Sequence, residues 1–192
     1  MEAPHSSPAA EPAGSVAHVT VTGTDTVTVT LAVESPEQMQ ALGRRISGVL
    51  RPGDLVMLTG ELGAGKTTLT RGLGEGLGVR GAVTSPTFVI ARVHPPLGEG
   101  PALVHVDAYR LGGGLDEMED LDLDVSLPDS VVVVEWGDGK VEELSDDRLQ
   151  VLIDRAVGDT DDERRVVTLV GVGVRWAGLR NDSWDPWDVA GA

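Results

Sequence analysis

Cysteine is absent from the chain. That excludes a disulfide scaffold, a thiol nucleophile and cysteine-based zinc sites, and it fits a cytoplasmic protein. Lysine is scarce: the 192 residues hold two, Lys66 and Lys140. Asparagine occurs once, at Asn181, and is followed by Asp182. The Asn-Lys-x-Asp element that reads guanine in GTPases is therefore missing. The four histidines, His5, His18, His94 and His105, lack zinc-ligand spacing. No apolar run approaches the roughly 18 residues of a membrane span. The first residues, "MEAPHSSPAAEPAGS", have neither the basic nor the apolar region of a secretory signal. Basic residues are outnumbered, 15 against 31 acidic ones, for a net charge of −16. Such a chain is repelled by phosphate backbones and by anionic membranes. A nucleic-acid role would need a local basic patch or a partner that holds the nucleic acid.

What is present suits one globular domain. The opening residues 1–16, rich in Pro, Ala and Ser, read as a disordered leader. The folded part spans about residues 17–176, and the aperiodic segment 177–192, with its "WDPWD", reads as a flexible tail. "HVTVTGTDTVTVTLAV" alternates Thr and Val with period two, a strand pattern with room for a hairpin at Gly23-Thr24-Asp25. In the next segment Ser35 caps, Pro36 fits the first helical position and Gln38 completes a capping box. Met39, Leu42, Ile46, Val49 and Leu50 then form one helical face. "LVMLTG", "ALVHVDAYR" and "VVVVEW" read as buried strands, and "RLQVLID" with "RRVVTLVGVGVRW" as a late hairpin. Strands alternating with helices predict an α/β fold: a three-layer sandwich around a mostly parallel central sheet, closed by a late antiparallel hairpin.

Gly60, Gly65, Lys66 and Thr67 match G-x-x-x-x-G-K-[ST] between an apolar strand and a helix. In such a P-loop, successive backbone N–H groups point inward at phosphate oxygens, and side chains at Gly63 or Gly65 would block the approach. The helix that follows aims its positive end at the same place. Lys66 would reach the outer phosphates and Thr67 would offer its hydroxyl to Mg2+. The later glycines at 72, 74 and 76 fit three readings: close packing on the sheet, closure around a partner, or mere drift in a chain with 25 glycines. A P-loop also needs a carboxylate at the end of a neighbouring strand. Asp107 after "LVHV" and Glu135 after "VVVV" are the two candidates. "TSPTF" supplies hydroxyls where a switch loop would approach the γ-phosphate. "DLDLD" lacks the glycine and glutamate of an EF-hand, and "GLGVRG" follows a helix rather than a strand, so the first is no EF-hand loop and the second no dinucleotide fingerprint. Without a guanine-reading element, ATP is the expected nucleotide. A small-molecule phosphotransferase and a non-catalytic nucleotide switch stand as the alternatives.

"GELGAGKTTLTRG", "SPTF", "HVDAYR" and "VEW", in that order and at short spacing, resemble the TsaE family of bacterial tRNA threonylcarbamoyladenosine biosynthesis ATPases. The resemblance implies an ATPase with Mg2+ that docks on the TsaD–TsaB pair, reaches tRNA only indirectly, and serves threonylcarbamoyl transfer to adenosine 37 of ANN-reading tRNAs. It implies that Gly63, Ala64, Gly65, Lys66, Thr67 and Thr68 contact the phosphates. Thr67 and Glu135 would be Mg2+ ligands, with Asp107 a further cation-linked or water-positioning acid. Thr87 would be the switch-loop hydroxyl. Trp136 would lie beside the nucleotide, and Pro36 and Glu37 would approach the adenine side.

Overall fold

A computed structural model describes residues 18–22, 25–86, 90–110, 122–155 and 163–180. The leader, Thr87, most of the acidic connector and the tail beyond residue 180 lie outside these. One eight-stranded sheet organises the chain, in the order β1-β2-β8-β7-β3-β6-β5-β4. The strands are β1 (His18–Thr22), β2 (Thr26–Val33), β3 (Leu55–Thr59), β4 (Ala91–His94), β5 (Ala102–Asp107), β6 (Ser130–Glu135), β7 (Arg148–Arg155) and β8 (Arg165–Val172).

The sheet is mixed, which corrects the expectation of a mostly parallel one. β7-β3-β6-β5 run parallel, while β1–β2, β2–β8, β7–β8 and β4–β5 pair antiparallel. The burial pattern explains the split. β6 is buried at every position and β3 at all but its last, as strands covered on both faces must be. β2 and β7 alternate buried and half-exposed residues instead, the mark of a strand with one wet face. The Thr-Val repeat of β2 thus turns Val27, Val29, Leu31 and Val33 inward. The first strand pair and the late hairpin join edge to edge as an antiparallel wing.

Helix α1 (Pro36–Ser47) and helix α2 (Lys66–Gly76) cover one face of the sheet. Met39, Leu42 and Ile46 of α1 and Leu69 and Leu73 of α2 share a core with Val56 and Leu58 of β3. The glycines of α2 have a steric cause. A Cβ on Gly72 would strike the Gln40 carbonyl and the Gly43 Cα of α1, and one on Gly76 would strike the Ser47 side chain. The close partner is therefore mainly α1, not the sheet, although Gly74 abuts Val83. Among the described residues the opposite sheet face is covered more thinly, with Leu123 of a one-turn helix (Leu123–Ser126) and Val141 over Met57, Val104 and Val132. A final 3-10 segment, Val174–Arg180, buries Trp176 and Leu179. Residues 177–180, assigned from the sequence to the tail, belong to this element. Among the described residues, no helix is long and apolar enough to cross a membrane.

The N-terminus of α1 is capped as its sequence dictates. Gln38 N donates to Ser35 Oγ at 3.3 Å, and Glu34 N donates to Gln38 Oε1 at 2.8 Å. The return bond of the capping box thus reaches one residue further back than Ser35. Ser35→Ala is expected to destabilise the fold by about 1 kcal/mol, read as a shift in the urea midpoint with unchanged slope.

Candidate functional site

The site forms where three adjacent strands end. β3 runs out at Thr59 and hands over to the loop Gly60–Gly65, which feeds directly into α2. β6 is hydrogen-bonded to β3 and β5 to β6, so Asp107 and Glu135 stand side by side in register at the ends of their strands. Sequence order could not show this adjacency; the parallel pairing makes it.

Within the loop, Gly63 (φ 78°) and Gly65 (φ 115°) take left-handed backbone conformations that favour glycine. Gly65 is the N-cap of α2 and no side chain caps that helix end. The first N–H groups of α2 therefore stay available to an anion at the positive end of the helix dipole. A cavity of about 490 Å³ opens there, and Gly63, Gly65, Lys66, Thr67, Thr68, Asp107, Glu135 and Trp136 line it.

Lys66 is buried and folded back on its own loop. Its Nζ donates to the carbonyls of Gly60 at 2.7 Å and Glu61 at 3.0 Å, and lies 4.2 Å from the centroid of the Trp136 ring. Burial pushes the pKa of its ammonium down, and the charges of Glu135 and Asp107 pull it back up. Glu135 Oε1 sits 2.9 Å from His105 Nε2 and accepts a long hydrogen bond, 3.4 Å, from Thr67 Oγ1. Asp107 Oδ1 accepts from Tyr109 N at 3.1 Å. Trp136 follows Glu135 in a left-handed conformation, φ 62°, rare for a bulky residue and worth about 1–2 kcal/mol of strain. Its N–H is secured on Leu58 O at 3.1 Å.

Hard oxygen donors from Thr67, Asp107 and Glu135 thus face one cavity. The donor set fits Mg2+, which commonly takes one or two carboxylates and completes its shell with phosphate oxygens and water. Among the described residues no three His, Cys, Asp or Glu side chains gather as a metal cage, so such a cation would depend on the phosphates for its remaining ligands. The bare helix end and the glycine loop likewise fit a nucleotide's phosphates.

The remaining sequence-predicted residues divide. Pro36 and Ala64 line a smaller cavity of about 100 Å³, beside Ser35, Met39, Thr68 and Arg165. Glu37 is exposed, is not among that lining, and serves its own helix: its backbone N–H and the Ser35 side chain hold its carboxyl below the usual range. Thr87 lies outside the described residues, although Ser85 of the same loop lines the main cavity.

Some neighbours were not singled out from sequence. Tyr109 joins the cavity wall, its ring 5.6 Å from that of Trp136 and tilted 55°. Leu62 lines it too and is largely exposed. Arg155, at the far end of β7, sets its Nη2 3.0 Å from where a Cβ on Gly63 would stand. His105 is fully buried against Glu135. For His105 a signal existed: two residues before Asp107 on a strand, it must share that acid's face. Arg155 carried none, being far from the loop in sequence.

The fold and this site define a mixed α/β protein built around a strand–glycine loop–helix unit with two acids on the adjoining strand ends. The family profile described as "Threonylcarbamoyl adenosine biosynthesis protein TsaE" matches residues 33–166. The chain belongs to the TsaE family. It is 81% identical over 139 residues to the TsaE protein of Streptomyces coelicolor, covering 72% of this chain and 94% of that one. With the TsaE protein of Bacillus subtilis it shares 41% identity over 143 residues, 74% of this chain and 85% of the relative. The crystal structure of YdiB from the same genus superposes with a TM-score of 0.64 at 33% identity, covering 82% of this chain and 94% of YdiB.

Proposed function

We propose that this chain is a Mg2+-dependent ATPase subunit, working in the cytoplasm on the TsaD–TsaB pair, that supports threonylcarbamoyl transfer to adenosine 37 of ANN-reading tRNAs. The observation that carries the reading is the convergence of Lys66, Thr67, Asp107 and Glu135 on one cavity. Mg2+ bound there would supply positive charge against the phosphates.

The chain's own groups do the positioning. Loop and helix N–H groups from Gly63 to Thr68 bind phosphate. Lys66 exchanges the carbonyls of Gly60 and Glu61, weak neutral partners, for anionic oxygens, and the gain in Coulomb energy drives the exchange. Thr67 and Glu135 hold the cation; Asp107 holds it or orders the attacking water. Thr87 is the proposed switch-loop hydroxyl. Trp136 and Tyr109 wall off one side, and the smaller cavity at Pro36 takes the base, with Glu37 at its approach. Phosphoryl transfer asks little more than alignment and charge stabilisation. The chain's charge of −16 supports a contact with tRNA made through the partner proteins rather than directly.

The test is ATP hydrolysis by the purified chain, alone and with TsaD–TsaB. Slow turnover alone, faster turnover with the pair and none without Mg2+ are expected. ATP binding with no turnover in any mixture would replace this reading with a non-catalytic switch.

A further inference from the structure

We infer that His105 is a positioning residue that aims the Glu135 carboxylate at the cation, an inference resting on the Mg2+ reading above. His105 pairs in register with Val133 on β6, and Glu135 lies two residues further along the same strand face. The ring therefore leans diagonally across to the acid, within the reach of a long side chain. Both groups are out of solvent, with side-chain exposures of 0% and 6%.

A carboxylate only accepts, so the Nε2 facing it at 2.9 Å is the one bearing the proton. The other ring nitrogen, Nδ1, is buried with no hydrogen-bond partner among the described residues. An unsatisfied buried polar atom costs about 1–3 kcal/mol. On the sheet face that His105 occupies, Leu103 two residues back on β5 and Val133 opposite on β6 are apolar and buried, so an apolar residue would serve the core better. What the imidazole adds in return is one bond, to Glu135. That bond ties Oε1, which the Thr67 hydroxyl also approaches at 3.4 Å. Oε2 carries no hydrogen bond among the described residues and is left for the cavity that Glu135 lines. Partners of this kind hold a ligating group in one orientation, and their loss typically weakens metal binding about 10–100-fold.

The experiment compares His105→Asn with His105→Gln. A glutamine amide nitrogen reaches the place of ring Nε2, whereas asparagine stops a bond short. Calorimetric ADP affinity is measured for wild type and both variants, with and without Mg2+. His105→Asn is expected to reduce the Mg2+ enhancement of ADP affinity at least about tenfold. His105→Gln should stay within about threefold of wild type, and Mg2+-free affinity should be the same in all three proteins. If His105→Asn does not fold, His105→Leu, which can pack on Leu103 and Val133 of the same face, replaces it under the same criterion. Wild-type enhancement retained in His105→Asn overturns the positioning role alone. So does an equal loss in both variants together with Mg2+-free affinity, which is the signature of a merely structural residue. Absence of any Mg2+ enhancement in the wild type overturns the Mg2+ reading itself, and this inference with it.

Discussion

Replacing Lys66 with alanine is expected to lower ATP turnover by at least about a hundredfold, the scale on which a single charge-stabilising group acts in a preorganised site. Lys66 is the one lysine that lines the cavity; Lys140, the other lysine of the chain, is engaged by Ala108 O and is not part of the lining. The loss should fall on turnover measured with TsaD–TsaB as well as on the chain alone, because the partner would enhance a reaction that can no longer be stabilised. The fold itself should survive. The lysine's pKa is pushed down by burial, so its charged form is held against a desolvation penalty that alanine removes. In linkage terms, a cation with a depressed pKa opposes folding most at pH values below that pKa, and the opposition fades as pH rises through it. At neutral pH the removed desolvation penalty should therefore offset part of what the variant loses, namely the hydrogen bonds to Gly60 O and Glu61 O and the contact with Trp136. Turnover that persists in a well-folded Lys66→Ala protein would remove the P-loop assignment.

Gly72→Val is expected to destabilise the protein by about 3 kcal/mol, a fall in Tm of about 10 °C by calorimetry. The reason is the identity of the obstructing atoms. A Cβ at position 72 meets the carbonyl of Gln40 and the Cα of Gly43, which are backbone, so no rotamer change makes room. Gly43 returns the constraint, its own Cβ direction being blocked by the backbone at Leu69, Gly72 and Leu73. The helices would have to separate. Separation would also break the surface contacts of Glu75 with Gln40 and Arg44, at 2.5 and 2.7 Å, though exposed pairs contribute little. Gly76→Ala is the internal control. Its nearest obstacle is the Ser47 hydroxyl, which can rotate, but the Ser47 Cβ at 2.8 Å cannot, so it should cost less than Gly72→Val without being neutral. Equal stability of Gly72→Val and wild type would show that the tight α1–α2 contact is not what the glycines are for. Because α2 begins at Lys66, a displaced helix should also misplace the phosphate loop, and nucleotide affinity should fall alongside stability.

Much of the molecule was legible in the residues because the relevant information is local. The Thr-Val alternation of β2, the capping set around Ser35 and Gln38, the strand–loop–helix sequence at Gly60–Thr67 and the late hairpin are each set by period, turn chemistry and capping within a few residues. The parallel character of the sheet was overstated for a related reason. Continuous apolar runs announce the central strands strongly, whereas alternating strands do not announce which edge they will join. The wing that places β2 beside β8 brings together residues from opposite ends of the chain.

The amino-acid sequence by itself determined the candidate phosphate loop, the lysine and threonine that follow it, and the two acids waiting at strand ends, since each belongs to a short contiguous pattern. Only the tertiary structure decided that those acids are neighbours, that His105 grips one of them, that Arg155 reaches Gly63, and that the glycines of α2 answer to α1. Those facts depend on strand order and helix packing, and both are fixed by contacts between segments far apart in the chain, where no local period carries the information.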